Sequence, residues 1–416
     1  MDRLIAWRSF ASLAVAVVLA LFFGCGDRSE QKPADVGKGQ EPVERQEEGA
    51  GREPVRIGVI LPLSGALADY GESTLAGIEM ARDEINKAGG VAGRKIELVV
   101  ENNENDTTKS ADALRKLVGL KKALAVVGPI TSTNCLAIVR DAQRKGTVLI
   151  TPTGTNDTIT GHGDFIFRAC FNDSFQGAAM AKFAREDLRI ESAVPFQDTT
   201  SDYSVGLCRS FAERFEELGG KVPATLSYKQ GDTDFTPQLR KLREMGAGGV
   251  FVPGYPPELP LIVNQARELG LEAHLLGADG WDDDSLVDNS GERLVGSFFS
   301  AAFSTDVSTP ELEAFMTLAG KRGIKTPGSF EALGYDSVGL IAEAARRAGA
   351  KALSGDLRER RVALRDALAA IEDYKGATGS IAMQASGDPL KSLVVLRFEK
   401  AEGGGVEKRF VKVVNP

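Results

Sequence analysis

Two histidines and four cysteines are all that 416 residues carry, and neither type is spaced to hold a metal. His162 stands alone, and His274 falls inside an apolar run where it reads as a core histidine. The cysteines form no C-x-x-C pair; beyond Cys25, only Cys135, Cys170 and Cys208 remain, so at most one disulfide is possible and one thiol is left over. The sequence lacks G-x-x-x-x-G-K-[ST], G-x-S-x-G and H-E-x-x-H, which removes the signatures of P-loop, α/β-hydrolase and zincin chemistry. GGVAG (89–93) resembles a phosphate cradle, but it ends a helical period and leads into a strand, the reverse of the required order. It reads as a helix C-cap and turn. Basic residues are also short, 50 Lys and Arg against 58 Asp and Glu, a net charge of −8 that argues against a nucleic-acid partner. Neither a cofactor nor a metal is expected.

No apolar run is comfortably long enough for a membrane span. The uncharged stretch 9–25 has 17 residues, at the lower limit of the roughly 20 needed. Arg3 and Arg8 flank its basic start, and the profile is that of a signal peptide over residues 1–24. It ends Leu21-Phe22-Phe23-Gly24-Cys25, which resembles the bacterial lipobox, although Phe22 replaces the usual leucine. That resemblance makes Cys25 the expected lipidation site. Residues 25–54 are rich in Glu, Gln, Gly and Pro and bury too little to order themselves, so they read as a disordered tether. About 360 residues remain, more than one core usually holds, which sets an expectation of two domains.

From Val55 onward short apolar runs alternate with helical periods. VRIGVIL (55–61), KIELVVE (95–101), ALAVVG (123–128), TVLIT (147–151), SAVPF (192–196), GGVFVPG (248–254) and EAHLLGA (272–278) read as strands. Leu75, Ile78, Ala81 and Ile85 recur at helical spacing before Gly89-Gly90, and Thr107 or Thr108 can cap a helix running through Leu117. Strands apolar on both faces and separated by helices imply an α/β fold with mainly parallel sheets flanked by helices. No internal repeat relates the two implied sheets. Ligands in such folds bind beyond the carboxyl ends of the strands.

Those ends carry a consistent chemistry. ALAVVG is followed by Pro129-Ile130-Thr131-Ser132-Thr133-Asn134 and a helical segment. The hydroxyls are either ordinary caps or part of an anion site at the helix N-terminus. TVLIT is followed by Pro152-Thr153-Gly154-Thr155-Asn156-Asp157, GGVFVPG by Tyr255 and EAHLLGA by Asp279. Together these offer donors for a carboxylate, acceptors for an ammonium and aromatic walls, which is what a free amino acid requires.

At this point the chain resembles the periplasmic leucine/isoleucine/valine-binding proteins, the type I solute-binding proteins of amino-acid ABC transporters. The marks, in order, are LPLSGALADYGESTLAGIEMARDEINKAGGVAGRKIELVVEN (61–102), VVGPITST (126–133), LITPTGTN (149–156), FRACFNDSFQG (167–177), SDYSVGL (201–207), GDTDFTPQL (231–239), PGYPPEL (253–259), LLGADGW (275–281) and ALGYDS (332–337). The resemblance implies a two-lobed Venus-flytrap fold with a three-segment hinge, lobe one spanning 55–173 plus 303–386 and lobe two 174–302 plus 387–416. It implies that Ser132 binds the ligand α-carboxylate, that the Thr153 carbonyl takes the ammonium, and that Thr155 contacts both groups. Tyr70 and Tyr203 match aromatic wall positions; Tyr255 and Asp279 match the lobe-two pair whose acid meets the ammonium on closure. A disulfide found in some members is missing, with Asn103 or a neighbour and Thr131 near its expected places.

The reading is therefore a monomeric, lipid-anchored, extracytoplasmic binding protein, not an enzyme, that captures a branched-chain or related amino acid and delivers it to an ABC permease. It touches the membrane through its N-terminal lipid alone. The alternatives are a sensor that binds amides or small organic acids, and an exported hydrolase using Asp279 with Asp282 or Asp283. Adjacent acids on one loop seldom give the separation such a pair needs. Asp282, Asp283 and Asp284 read as a solvated turn capping a helix near Ser285 or Leu286, and Trp281 either covers the cleft mouth or packs.

Overall fold

The computed structural model describes residues 53–416; the expected signal peptide, Cys25 and nearly all of the tether lie outside the described residues. Among the described residues no helix is long and apolar enough to cross a membrane.

The chain opens with β1 (Val55–Leu61), α1 (Ala68–Lys87), β2 (Ile96–Asn102), α2 (Thr107–Arg115), β3 (Ala125–Val127), α3 (Ser132–Arg144), β4 (Val148–Thr151) and β5 (Ile166–Arg168). The five strands form one parallel sheet in the order β2-β1-β3-β4-β5, with Val59 flanked in register by Val100 and Val127. Ile57, Val59, Val126, Val127, Leu149 and Ile150 are buried, as a sheet covered on both faces requires. Asp106, one residue earlier than the expected threonines, caps α2: its carboxylate accepts the Lys109 N–H at 2.8 Å. A carboxylate there also meets the positive end of the helix dipole.

The second sheet follows α4 (Asp173–Lys182). Its members are β6 (Ala193–Asp198), α5 (Asp202–Glu217), β7 (Leu226–Tyr228), α6 (Thr236–Met245), β8 (Gly249–Phe251), α7 (Glu258–Glu268), β9 (His274–Gly277), α8 (Asp284–Ser290) and β10 (Phe298–Ala301). Its parallel part runs β7-β6-β8-β9-β10, the same winding as the first sheet. The two lobes are thus topological copies although the sequence shows no repeat. Both windings reverse at their first strand, and it is outside the carboxyl ends of the strands, at that switch, that doubly wound sheets bind ligands. His274 opens β9 half-buried with its ring against Phe298, rather than sitting in the core.

The remaining chain adds α9 (Pro310–Lys321), α10 (Ser329–Ala348), α11 (Ala350–Leu353), α12 (Leu357–Ala369), a small sheet of β11 (Tyr374–Gly376), β12 (Gly379–Met383) and β13 (Pro389–Leu390), then β14 (Leu393–Lys400) and β15 (Val406–Val414). α10 packs on α1 at a close crossing. A Cβ on Gly77 would lie 1.9 Å from the Glu331 carbonyl oxygen and one on Gly334 2.4 Å from that of Thr74, so both positions need glycine. β14 pairs antiparallel with β10 and β15, extending the second sheet. The chain therefore passes between the sheets three times, after β5, after β10 and after β13. The hairpin carrying Gly387 and Asp388 stays with the first sheet, since the Arg168 N–H donates to the Gly387 carbonyl at 3.1 Å and its guanidinium pairs with Asp388 at 2.6 Å. The chain joins the second sheet only at Leu393.

Cys135, Cys170 and Cys208 are buried free thiols. Hydrogen bonds tie the loop after β2 to the start of α3. The Thr131 hydroxyl donates to Asn105 Oδ1 at 2.8 Å, Asn134 Nδ2 reaches the same atom at 2.8 Å, and Ser110 donates to Asn134 Oδ1 at 2.7 Å.

Candidate functional site

The carboxyl ends of β3 and β4 are stitched into one wall. The Thr151 hydroxyl donates to the Pro129 carbonyl at 2.7 Å, and that of Thr153 to the Ile130 carbonyl at 2.8 Å. Ser132 begins α3 and is buried, its Oγ accepting the Asn156 N–H at 3.2 Å. Thr131 occupies the cap position without capping, because its hydroxyl is spent on Asn105. The first N–H groups of α3 are left to face an anion with the helix dipole behind them.

Arg168 fixes the loop that carries Thr155. Wholly buried, it donates to the carbonyls of Gly154 at 3.0 Å and Asn156 at 2.9 Å. Both carbonyls flanking Thr155 are thereby held. Its hydroxyl is buried with no hydrogen-bond partner.

The second lobe supplies the acid. Asp279 follows β9, 7% exposed, and its Oδ1 accepts from Gln176 Nε2 and from the Tyr203 hydroxyl, both at 2.9 Å. Tyr203 in turn accepts the Gly280 N–H at 3.0 Å, so one phenol locks both the carboxylate and the turn behind it. Burial pushes the Asp279 carboxyl up to about 6; its hydrogen bonds from Gln176 and Tyr203 oppose this and the Asp282 charge adds to it. Desolvation without a cationic partner is the cause, and a ligand ammonium would reverse it.

Aromatic rings join the halves. Tyr203 stacks on the partly exposed Tyr255 with centroids 4.7 Å apart. Tyr70, from α1, meets Tyr255 edge-on at 6.1 Å and stacks on Phe330 at 4.2 Å. The Tyr70 hydroxyl donates across the cleft to the Gly280 carbonyl at 2.5 Å. At the rim the Thr133 hydroxyl donates to Asp202 Oδ2 at 2.9 Å. A space of about 90 Å³ between the lobes is lined by Ser132, Thr133, Thr200, Ser201 and Tyr255, among others.

Seven of the expected site residues, Ser132, Thr153, Thr155, Tyr70, Tyr203, Tyr255 and Asp279, therefore line the facing strand ends and helix starts of the two lobes. Trp281 does not join them. It is fully buried in the second-lobe core, donates from its indole to the Val252 carbonyl at 2.7 Å and packs against Gly277 and Phe398. One residue past Gly280, the tight turn rotates its side chain under the sheet.

The other three aspartates also part company, and two of them are buried rather than solvated. Asp283 caps α8, accepting the Ser285 N–H at 2.9 Å. Asp282, 5% exposed, reaches the start of α10, while Asp284 pairs with Lys408 at 3.1 Å. Sequence reading passed over Arg168, Asp173, Gln176 and Phe330. The signal for two of them was the D-x-x-Q spacing of Asp173 and Gln176, which puts both on one face of the first turn of α4.

A family profile described as periplasmic binding protein matches residues 54–407. A leucine-, isoleucine-, valine-, threonine- and alanine-binding protein of Pseudomonas aeruginosa is 29% identical over 300 residues, 71% of this chain and 79% of the relative. A crystal structure of a leucine-binding protein from Thermotoga maritima superposes with a TM-score of 0.80 at 33% identity, covering 87% of this chain and 99% of that one. The branched-chain amino acid transporter substrate-binding protein of Streptococcus pneumoniae, in complex with isoleucine, gives 0.78 at 33% identity, with 87% and 100% covered.

Proposed function

The chain belongs to the periplasmic binding protein family, and we propose that it captures one free amino acid, branched-chain or related, between its lobes and hands it to an ABC permease. The observation that carries this reading is the pairing of a buried carboxylate, Asp279, on one side of the cleft with an uncapped helix N-terminus, at Ser132, on the other. A zwitterion is neutral overall, so one acid and one helix start can receive both its ends without a buried lysine or arginine.

In this reading the ligand carboxylate meets Ser132 and the first N–H groups of α3, and the ammonium meets Asp279, the Thr153 carbonyl and Thr155. Tyr70, Tyr203 and Tyr255 wall the side chain. The first lobe binds first, and the second closes over the ligand, a ligand-driven shift between open and closed populations. The binding names of the relatives support the ligand class. The protein acts as a monomer, performs no chemistry on its ligand, and is held to the membrane by lipid on Cys25.

A thermal-shift panel of the twenty amino acids tests the reading. A true ligand at 100 times its dissociation constant adds roughly 2.7 kcal/mol of stability. A flat panel, or turnover of a bound compound, would remove it.

A further inference from the structure

Asp173 opens α4 with its carboxylate completely buried, and neither oxygen has a hydrogen-bond partner in the protein. One turn on, Gln176 is equally buried. Its Nε2 is committed to Asp279 Oδ1 at 2.9 Å, and its Oε1 is unpartnered. The Thr155 hydroxyl, whose residue accepts the Asp173 N–H on its carbonyl at 2.9 Å, makes no hydrogen bond of normal geometry either, although it lies near enough to Asp173 to favour its ionised form. Asp173 Oδ2 lies against α5, 2.7 Å from where a Cβ on Gly206 would stand, one turn along from Tyr203. A side chain at Gly206 would strike it, so the helix leaves that carboxylate room.

These atoms share one chemistry. Asp173 Oδ1 and Oδ2, Gln176 Oε1 and the Asp279 carboxylate accept hydrogen bonds, and Thr155 alone can do both. A group facing this wall must bring several N–H donors and a positive charge. A primary ammonium brings three. We propose that Asp173 is a second anionic residue of the binding site, which with Asp279 and Gln176 makes a primary ammonium obligatory in the ligand and rejects carboxylic acids and amides that lack one. This rests on the amino-acid reading above and goes further, since one acid suffices to balance a zwitterion.

The electrostatics agree. Burial holds the Asp173 carboxyl well above its ordinary range; Thr155 and Arg168 pull it down, while Asp157 and Asp279 push it further up. Burial thus favours the protonated form of Asp173, and an arriving ammonium favours the ionised form, so binding shifts this carboxyl toward releasing its proton.

The test is titration calorimetry with leucine, or the tightest binder of the amino-acid panel, and with the same carboxylic acid bearing hydrogen in place of the amine. Wild type is expected to prefer the amino acid at least 100-fold and to release protons on binding, read by repeating the titration in buffers of different ionisation heat. Asp173→Asn is expected to weaken the amino acid at least tenfold, narrow the preference at least tenfold and lower the proton release. An Asp173→Asn protein with wild-type affinity, preference and proton release overturns the inference and leaves the amino-acid reading intact. Should Asp173→Asn fail to fold, wild type still decides: equal binding of the amine-free acid overturns the inference. A wild type that binds no amino acid of the panel fails the reading beneath it and takes the inference with it.

Discussion

Asp282, in the second lobe, caps a first-lobe helix: its Oδ2 accepts the Ser329 N–H at 2.9 Å and the Ser329 hydroxyl at 2.5 Å, while Oδ1 takes Lys408 at 2.9 Å. It stands three residues from Asp279, and the two acids titrate in opposite directions. Burial alone would raise Asp282, but Lys408 and the Ser329 donors outweigh it and hold the carboxyl below its usual range. Its stabilisation is present above the unfolded carboxyl range and is lost as pH falls through the lowered native value. Asp282→Ala removes a helix cap and one partner of the partly buried Lys408. We expect a loss of about 2 kcal/mol or more, read as a lower denaturant midpoint at pH 7. A midpoint equal to wild type would show that the contact contributes nothing.

Asp279 carries the reverse dependence. With its carboxyl raised to about 6, the ligand-free protein binds a proton there that the unfolded chain has already lost. This group therefore opposes folding as pH climbs from about 4 to 6. In the proposed reading the ligand ammonium needs the ionised form. Affinity for an amino acid is expected to rise with pH and to fall about tenfold per unit below 6, measured by titration across that range.

The rim contact between Thr133 and Asp202 is expected to act as a clasp on closure in the proposed reading. Thr133→Ala deletes two hydrogen bonds across the lobes, one donated to Asp202 Oδ2 and one accepted from the Asp202 N–H, and is expected to cost about 0.5–1.5 kcal/mol of affinity for each. The loss should appear in the dissociation rate, since the contact forms after encounter. Stopped-flow kinetics separate the two rates, and an effect confined to association would speak against a clasp.

Trp281→Ala should behave as a core substitution. Its indole is fully enclosed and hydrogen-bonded to Val252, so its removal is expected to destabilise the protein by about 3–5 kcal/mol. Thermal melts of ligand-free protein measure this. An unchanged melting temperature with weakened ligand binding would return Trp281 to the cleft.

The strands easiest to read in sequence were those buried on both faces. VRIGVIL is β1 residue for residue, because beyond Arg56 the run carries no polar side chain and is buried throughout. β14 and β15 were passed over: β15, VEKRFVKVV, is an edge strand that buries little, and β14 is antiparallel to both its neighbours. β5 and β7 are short edge strands whose apolar pattern is broken by Arg168 and Ser227. In the candidate site, the position of Asp279 at the end of a strand was legible from the apolar run before it. Asp173 was not, since an acid at a helix start ordinarily serves the helix dipole, and only tertiary packing buries it without a partner. Asp282 and Trp281 were misplaced for a related reason. Their partners, Ser329 and Val252, are 47 and 29 residues away, beyond any local pattern.

The most direct test is titration of wild type and Asp279→Asn with the tightest-binding amino acid, alongside their ligand-free melting temperatures. If the carboxylate receives the ligand ammonium, the variant loses about 2 kcal/mol or more, roughly 30-fold in affinity, while its ligand-free melting temperature at pH 7 holds or rises because a buried charge is gone. Equal affinity in the two proteins would contradict the account.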